Sequence, residues 1–190
     1  MKQEARKITM KNKTLIVLLR GINVGGKRKI LMGDLRMLLG KNGYSEIRTY
    51  IQSGNILLES DKETDTEKIG VHIQQLIEKT YGFIVPTVVL LAESLKKAHA
   101  KNPFPAPESD KISLHLTILQ NAPKPALVKA IADFDAGADR FEVKGQFIYL
   151  RCEGKYHKSK LTNNFFEKKL AVAATTRNWR TVGKLLEMAE

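Results

Sequence analysis

Hydrophobic and polar positions in the first half of the chain change their period from one segment to the next. Leu15–Leu19 is an unbroken apolar run, which is typical of a strand covered on both faces. Leucines at helical spacing follow between residues 31 and 39, and an alternating segment then turns back at Gly54-Asn55. The predicted order is strand 15–19, helix 31–39, hairpin 47–58, helix 65–81 capped by Asp65, and strand 84–91 with Pro86 at an edge or bulge.

The second half repeats this order after a short helix at 93–100 and a linker at 102–107 that holds three prolines. The predicted elements are strand 113–119, helix 123–134, strands 140–143 and 147–152, helix 159–170, strand 173–177 and a closing helix at 181–188. Three pairs of landmarks lie about 90 residues apart in the two halves, namely Gly54 and Gly145, Glu78 and Glu167, and Leu35 and Leu127.

This repetition predicts an α+β fold, a tandem of two ferredoxin-like (βαββαβ) half-units with antiparallel sheets and a C-terminal helix. We expect the first unit at 14–91, a helical and proline-rich connector at 92–111, and the second unit with the C-terminal helix at 112–190. Residues 1–13 lack apolar periodicity and are expected to form a disordered tail. Because the halves share little identity, a chance alignment of common elements is the alternative to a duplication.

Composition indicates a globular protein of a reducing compartment. Apolar residues make up 43% of the 190 residues, and the longest apolar run is far shorter than the roughly 20 residues of a membrane span. The N-terminal segment has no signal-peptide pattern, and the single cysteine, Cys152, excludes an internal disulfide. We therefore expect a cytoplasmic protein with no membrane partner.

The net charge is +12, and the positive excess is concentrated in residues 1–60 and 111–190. Such an excess raises the local concentration of nucleic acids, nucleotides and phosphorylated metabolites. The alternative is a lysine-rich surface that only keeps the protein in solution.

The most distinctive segment, Arg20 to Lys29, follows the first strand and reads RGINVGGKRK. A glycine-rich turn between a strand and a helix can present backbone N–H groups to an anion. Gly21 to Lys27 satisfies the G-x4-G-K pattern of a P-loop, but Arg28 stands where Mg²⁺ binding needs Ser or Thr. We therefore reject an ATPase and expect a basic loop for a phosphate or similar anion. The alternative is a wide turn whose glycines only supply positive φ.

Two strand faces carry side chains suited to ligands. Alternation places Arg48, Tyr50 and Gln52 on one face of the first hairpin, which is expected to be open and polar. In the second half, Phe147 and Tyr149 share a face with an arginine, an arrangement that could stack nucleic-acid bases. The alternatives are an ordinary wet sheet face in the first case and burial between the units in the second.

Two basic segments near the C-terminus could add charge. Residues 155–163 bring three lysines and a histidine to the expected start of a helix, where the helix dipole also attracts anions. Residues 174–181 present Arg177, Asn178 and Trp179 at a strand-to-helix junction. Trp179 is favoured as a core or lid residue rather than a ligand contact.

Catalytic patterns are scarce. The four histidines have no metal-ligand spacing, and no carboxylate pair or nucleophile elbow is present. Cys152, at an alternating strand position, is interpreted as a small core residue. We expect no metal and no cofactor, and the sequence does not decide whether the protein is an enzyme.

Four motifs resemble those of the bacterial domain of unknown function 1697 family. They are LRGINVGGK from Leu19, RTYIQSGN from Arg48, SKLTN from Ser159 and ATTRNW from Ala174. The resemblance runs from about Thr14 to Met188, and the segment 1–13 departs from it. It implies a compact protein of two ferredoxin-like parts, and it implies no established reaction, cofactor or catalytic residue.

The preferred hypothesis is a site for a phosphorylated or otherwise anionic small ligand, in which the glycine-lysine bend and the Arg-Asn-Trp corner converge. The alternatives are a nucleic-acid-binding module that uses the basic surface and the sheet aromatics, and an oligomeric interaction protein. The candidate ligand-binding residues are Arg20, Asn23, Gly25, Gly26, Lys27, Tyr50, Gln52, Asn55, Lys158, Lys160, Arg177 and Asn178.

Overall fold

The computed structural model describes residues 13–60 and 65–190. It contains two four-stranded antiparallel sheets and six α-helices in the described part of the chain, so the predicted α+β tandem is confirmed. The tail expected at 1–13 lies outside the described residues, apart from Lys13. The elements in chain order are β1 (Leu15–Leu19), α1 (Met32–Lys41), β2 (Tyr44–Tyr50), β3 (Asn55–Ser60), α2 (Thr66–Tyr81), β4 (Thr87–Leu91), α3 (Ala92–Ala100), β5 (Ile112–Leu119), α4 (Pro125–Ala130), β6 (Arg140–Lys144), β7 (Phe147–Glu153), a 3₁₀ turn (Tyr156–Lys158), α5 (Asn163–Leu170), β8 (Ala174–Asn178) and α6 (Trp179–Ala189).

Both sheets have the same strand order, which is that of a ferredoxin-like unit. The first is β2-β3-β1-β4 and the second is β6-β7-β5-β8, with antiparallel pairing throughout. In each unit the first strand therefore lies in the middle of its sheet. The apolar run Leu15–Leu19 occupies that position in the first unit, and all five of its residues are buried.

The outer face of each sheet is covered by the two helices of its own unit. Leu15, Val17 and Leu19 pack with the apolar faces of α1 and α2 in one cluster. In the second unit, Ile148 and Leu150 pack with residues of α5 and the segment before it. This arrangement follows from the alternation of side chains along a strand, which gives each sheet two distinct apolar faces.

The inner faces of the two sheets share a single apolar cluster with α3 and α6. Ile16 and Leu18 from β1 and Leu116 from β5 pack there with Leu95 of α3 and Leu185 of α6. The layers therefore run from α1 and α2 through the first sheet, then α3 and α6, then the second sheet, to α4 and α5. The connector helix and the C-terminal helix form a middle layer that serves both units.

Some predicted boundaries were wrong. The helix expected at 159–170 begins at Asn163, because Ser159 turns the chain instead, with its Oγ accepting a hydrogen bond from the Leu161 N–H at 3.0 Å. Thr162 is the N-cap and accepts from the Phe165 N–H. The helix expected at 123–134 is restricted to Pro125–Ala130.

Candidate functional site

The glycine-rich segment after β1 forms a tight two-stranded turn. Val24 pairs with Lys27, whose N–H donates to the Val24 carbonyl at 3.1 Å. Gly25 and Gly26 between them have φ values of 57° and 74°, which is the left-handed region that glycine adopts without strain. A Cβ on either glycine would meet no atom within 4 Å, so the glycines are required by the turn and not by close packing.

The side chain of Asn23 holds this turn against the rest of the unit. Its Nδ2 donates to the carbonyls of Ile30 (2.9 Å) and Gln52 (2.8 Å), and its Oδ1 accepts from the Ile30 N–H at 2.9 Å. Both N–H groups of the amide and one acceptor site of its oxygen are thereby directed to the protein backbone. Asn23 fixes the loop to the β2–β3 turn, and its amide lies at the wall of the site as a support.

An open groove of about 510 Å³ lies between the loop and the β2–β3 turn. Of the predicted site residues, the structure brings Asn23, Gly26, Lys27 and Gln52 together at this groove, and sequence reasoning missed two others that line it, Lys29 and Leu31. Lys29 belongs to the same basic run as Lys27, so the continuous charge pattern could have indicated it. Leu31 is 54% exposed and gives the groove an apolar wall.

The charge on the loop is free of acidic partners within the described ranges 13–60 and 65–190. No ion pair joins Lys27, Arg28 or Lys29 to a carboxylate there, and all three are exposed. Arg28 is held with φ at 49° and its guanidinium lies against Gly21. The groove is therefore a place where positive charge accumulates without internal compensation.

Arg177 joins the second unit to the base of the loop. Its Nε donates to Asn55 Oδ1, and its Nη2 donates to the Leu19 carbonyl at 2.7 Å and to the Ser53 carbonyl at 3.3 Å. Its Nη1 donates to Thr175 Oγ1 and to the Thr176 carbonyl. Burial lowers the pKa of Arg177 to about 10, so the guanidinium remains charged at neutral pH. These five acceptors account for the five N–H groups of the guanidinium.

Arg20 makes a second link between the units. Its Nη1 lies 2.6 Å from Glu167 Oε1 and donates to the Ala174 carbonyl at 3.0 Å. The same carboxylate oxygen accepts from the Ala174 N–H at 3.0 Å. The two segments expected to converge therefore do meet, but they meet at the strand ends through Arg20 and Arg177, while Lys27 lies on the loop beyond them.

The remaining candidate residues have other partners. Asn55 is fully buried and donates from Nδ2 to the Tyr50 carbonyl, and Tyr50 itself packs at the edge of the central cluster. Asn178 caps α6 by accepting from the Thr181 N–H at 2.7 Å. Lys158 and Lys160 are exposed in the segment before α5, and because that helix begins later, the predicted helix N-terminus at these lysines was wrong. Neither lines the groove.

The sheet face with Phe147 and Tyr149 is largely covered. Tyr149 is 1% exposed, lies beneath the middle layer and donates from its hydroxyl to the Ala98 carbonyl at 2.8 Å. Arg48 on the first sheet likewise donates to the Met188 carbonyl at the end of α6. The middle layer of helices is the physical reason that the β7 face is closed, whereas Arg48 stays exposed on the first sheet.

Two general properties of the described residues bear on the site. Residues 13–60 and 65–190 contain no group of three or more His, Cys, Asp or Glu side chains placed to hold a metal ion. None of the helices in these ranges combines the length and the apolar character that crossing a membrane requires.

The fold and the groove define the class: an α+β protein of two ferredoxin-like units with a basic loop at the end of its first strand. Residues 12–149 match the family described as a protein of unknown function, DUF1697, and the chain belongs to that family. The motifs at 159–163 and 174–179 lie beyond the matched residues.

A solved structure shares this architecture over nearly the whole chain. The conserved bacterial protein SP0830 from Streptococcus pneumoniae superposes with a TM-score of 0.67 at 22% sequence identity, covering 95% of this chain and 100% of that one. At this identity the similarity shows the fold alone. No curated protein matches the chain.

Proposed function

We propose that the protein binds a phosphorylated or otherwise anionic small ligand in the groove beside the glycine-rich loop. The observation that carries the proposal is that Lys27 and Lys29 line one groove with Gly26 and Gln52, with no carboxylate paired to either lysine in the described part of the chain. An anion placed there would gain two charge-assisted contacts without breaking an internal ion pair.

The backbone of the loop supports the same ligand class. The N–H groups of Gly25 and Gly26 donate to no backbone acceptor in the described residues, and both glycines are exposed at the tip. Successive N–H groups in a turn of positive φ form a concave donor surface for anions. Asn23 fixes this turn to the β2–β3 turn, so the donors are held in place before a ligand arrives.

Pyrophosphate is a suitable first probe, with binding followed by isothermal titration calorimetry and by the ¹⁵N shifts of the Gly25 and Gly26 amides. The double variant Lys27→Ala/Lys29→Ala should bind about tenfold more weakly or worse, since two charged contacts are removed. The matched control is Lys168→Ala/Lys169→Ala, which removes the same charge from exposed lysines of α5. Equal weakening in both double variants would show a nonspecific charge effect and would contradict the proposed site.

A thermal-shift screen of phosphorylated metabolites against the native chain would then identify the ligand, with the Lys27→Ala/Lys29→Ala variant as the negative reference.

The oligomeric alternative rests on the edge strands β2, β4, β6 and β8, whose free edges could pair between copies. Size-exclusion chromatography with light scattering tests it, and a monomer at high concentration would contradict it. A cytoplasmic location stays a prediction.

A further inference from the structure

We propose that the chain carries a second binding groove, in the second unit, for a ligand that joins a phosphate to a planar ring. Such a ligand is a nucleotide, either free or within a single strand. The groove lies between α3 and the turn that connects β6 to β7, and it has a volume of about 510 Å³. It shares no residue with the loop groove of the first unit, so substitutions in one groove test that site without changing the other.

Each groove lies beside the hairpin turn of its unit, although α3 lines only the second groove and the long loop after β1 lines only the first. At the end of the first strand of each unit, Leu19 N–H donates to the Gly54 carbonyl (2.8 Å) and Leu119 N–H donates to the Gln146 carbonyl (2.9 Å). In both units the loop after that strand is thus tied to the hairpin turn. Both grooves are lined by lysines.

Three lysines lie around the second groove, and no carboxylate lines it. Lys101 has no ion pair among residues 13–60 and 65–190. Lys97 and Lys144 lie 2.7 Å and 2.9 Å from the carboxylates of Glu93 and Glu142, the first pair well exposed and the second half-buried. An exposed pair such as Lys97–Glu93 contributes little to stability, so a phosphate can replace its carboxylate at small cost. Lys144 also lies 5.6 Å above the Tyr149 ring, which holds its ammonium group at the groove.

The other wall of the groove is apolar and aromatic. Phe147 is partly buried and lines the groove together with Ala98 and Ala122. Tyr149 beneath it is fixed by the hydrogen bond of its hydroxyl to the Ala98 carbonyl, which gives the wall a rigid base. Inorganic phosphate would leave this wall unused, whereas a base could stack on the exposed part of the Phe147 ring with its phosphate among the lysines.

The test compares adenosine 5′-monophosphate, a six-nucleotide oligoadenylate and inorganic phosphate, with dissociation constants measured by calorimetry on the native chain. Phe147→Leu keeps an apolar side chain but removes the aromatic face, and Lys101→Ala removes one unpaired charge. Each is expected to weaken binding of the nucleotide probes by at least about fivefold. Lys168→Ala is the matched control, since it removes an exposed lysine elsewhere, and it should leave binding nearly unchanged.

The outcomes separate the sources of the ligand. Binding of the monophosphate supports a free nucleotide, and binding of the oligonucleotide alone supports a strand, provided that both groove variants weaken it. The proposal is overturned if neither nucleotide probe binds, if inorganic phosphate competes as well as the monophosphate, or if Phe147→Leu binds like the native chain. Thermal unfolding of each variant confirms that it is folded, and Lys27→Ala/Lys29→Ala should bind these probes normally in this groove.

Discussion

Removing the Arg177 guanidinium should destabilise the contact between the two units. The side chain donates to Leu19, Ser53 and Asn55 of the first unit and to Thr175 of its own strand. In Arg177→Ala, the Asn55 amide oxygen and the Leu19 carbonyl lose a charged donor. Each buried acceptor left without a partner costs about 1–3 kcal/mol. Because the variant also avoids the burial of a charge, we expect a net loss of about 2–4 kcal/mol.

Urea unfolding at pH 7 measures this change, followed by the fluorescence of Trp179 and by far-ultraviolet circular dichroism. Trp179 stacks on His99 with ring centroids 4.7 Å apart in the middle layer, so it reports on the contact between units. With a slope of about 2 kcal/mol per M, the midpoint should fall by about 1–2 M. Arg177→Lys keeps the charge but cannot reproduce the planar set of donors, so its urea midpoint should fall by a similar amount.

Arg180→Ala is the matched control for this experiment. Arg180 is exposed in the first turn of α6, three residues from Arg177, and its replacement should change the free energy of unfolding by less than about 0.5 kcal/mol. If Arg177→Ala unfolds at the same urea concentration as the native chain, the hydrogen bonds of this arginine make no net contribution, and the reasoning about orphaned acceptors is wrong.

Three further predictions concern single residues. Gly54→Ala should lower the free energy of unfolding by more than about 2 kcal/mol in the same urea assay. The reason is that Gly54 has a φ of 76° and that an added Cβ would lie 2.6 Å from Leu19 Cβ. A free energy of unfolding within about 0.5 kcal/mol of the native value would refute this prediction. Burial raises the pKa of the Cys152 thiol to about 11, so a thiol reagent at pH 8 should label it only after unfolding, and rapid labelling of the native chain would contradict its burial. Burial also lowers the pKa of His115 below its ordinary value of 6.5, so the unfolded chain takes up a proton at a higher pH than the folded chain does. The free energy of unfolding should therefore be highest above pH 6.5 with respect to this group, and it should decrease as the pH falls below that value. An NMR titration giving a pKa at or above 6.5 would contradict this, and His115→Gln should flatten the pH dependence.

The order of elements could be predicted from the sequence because it depends on local periodicity. The apolar run Leu15–Leu19 indicated a central strand, and the alternation of Phe147 to Cys152 separated the two faces of β7 correctly. Asp65 marked the start of α2, where its side chain accepts two backbone hydrogen bonds. The helix ends at Tyr81 as predicted, and the next residue, Gly82, adopts a φ of 77°. Each of these signals is contained within a few neighbouring residues.

The partners of several polar residues could not be predicted, because they belong to segments that are distant in the sequence. Arg177 had the chemistry of an anion ligand, yet it donates a hydrogen bond to the Leu19 carbonyl at the end of β1, 158 residues away in the sequence. Tyr149 had the alternation of an open stacking face, yet α3 and α6 cover it. Lys27 lies at the loop groove, as its position in a glycine-rich loop suggested, and its part in ligand binding stays a prediction.

The middle layer formed by α3 and α6 bears on whether the first unit could exist alone. The α3 helix follows the first unit and α6 ends the second, and both are packed between the inner faces of the two sheets. A polypeptide with only one unit would leave Ile16, Leu18 and their neighbours in water. An isolated first unit would therefore need another apolar surface against this face, which in the chain is supplied by the second sheet and by α6.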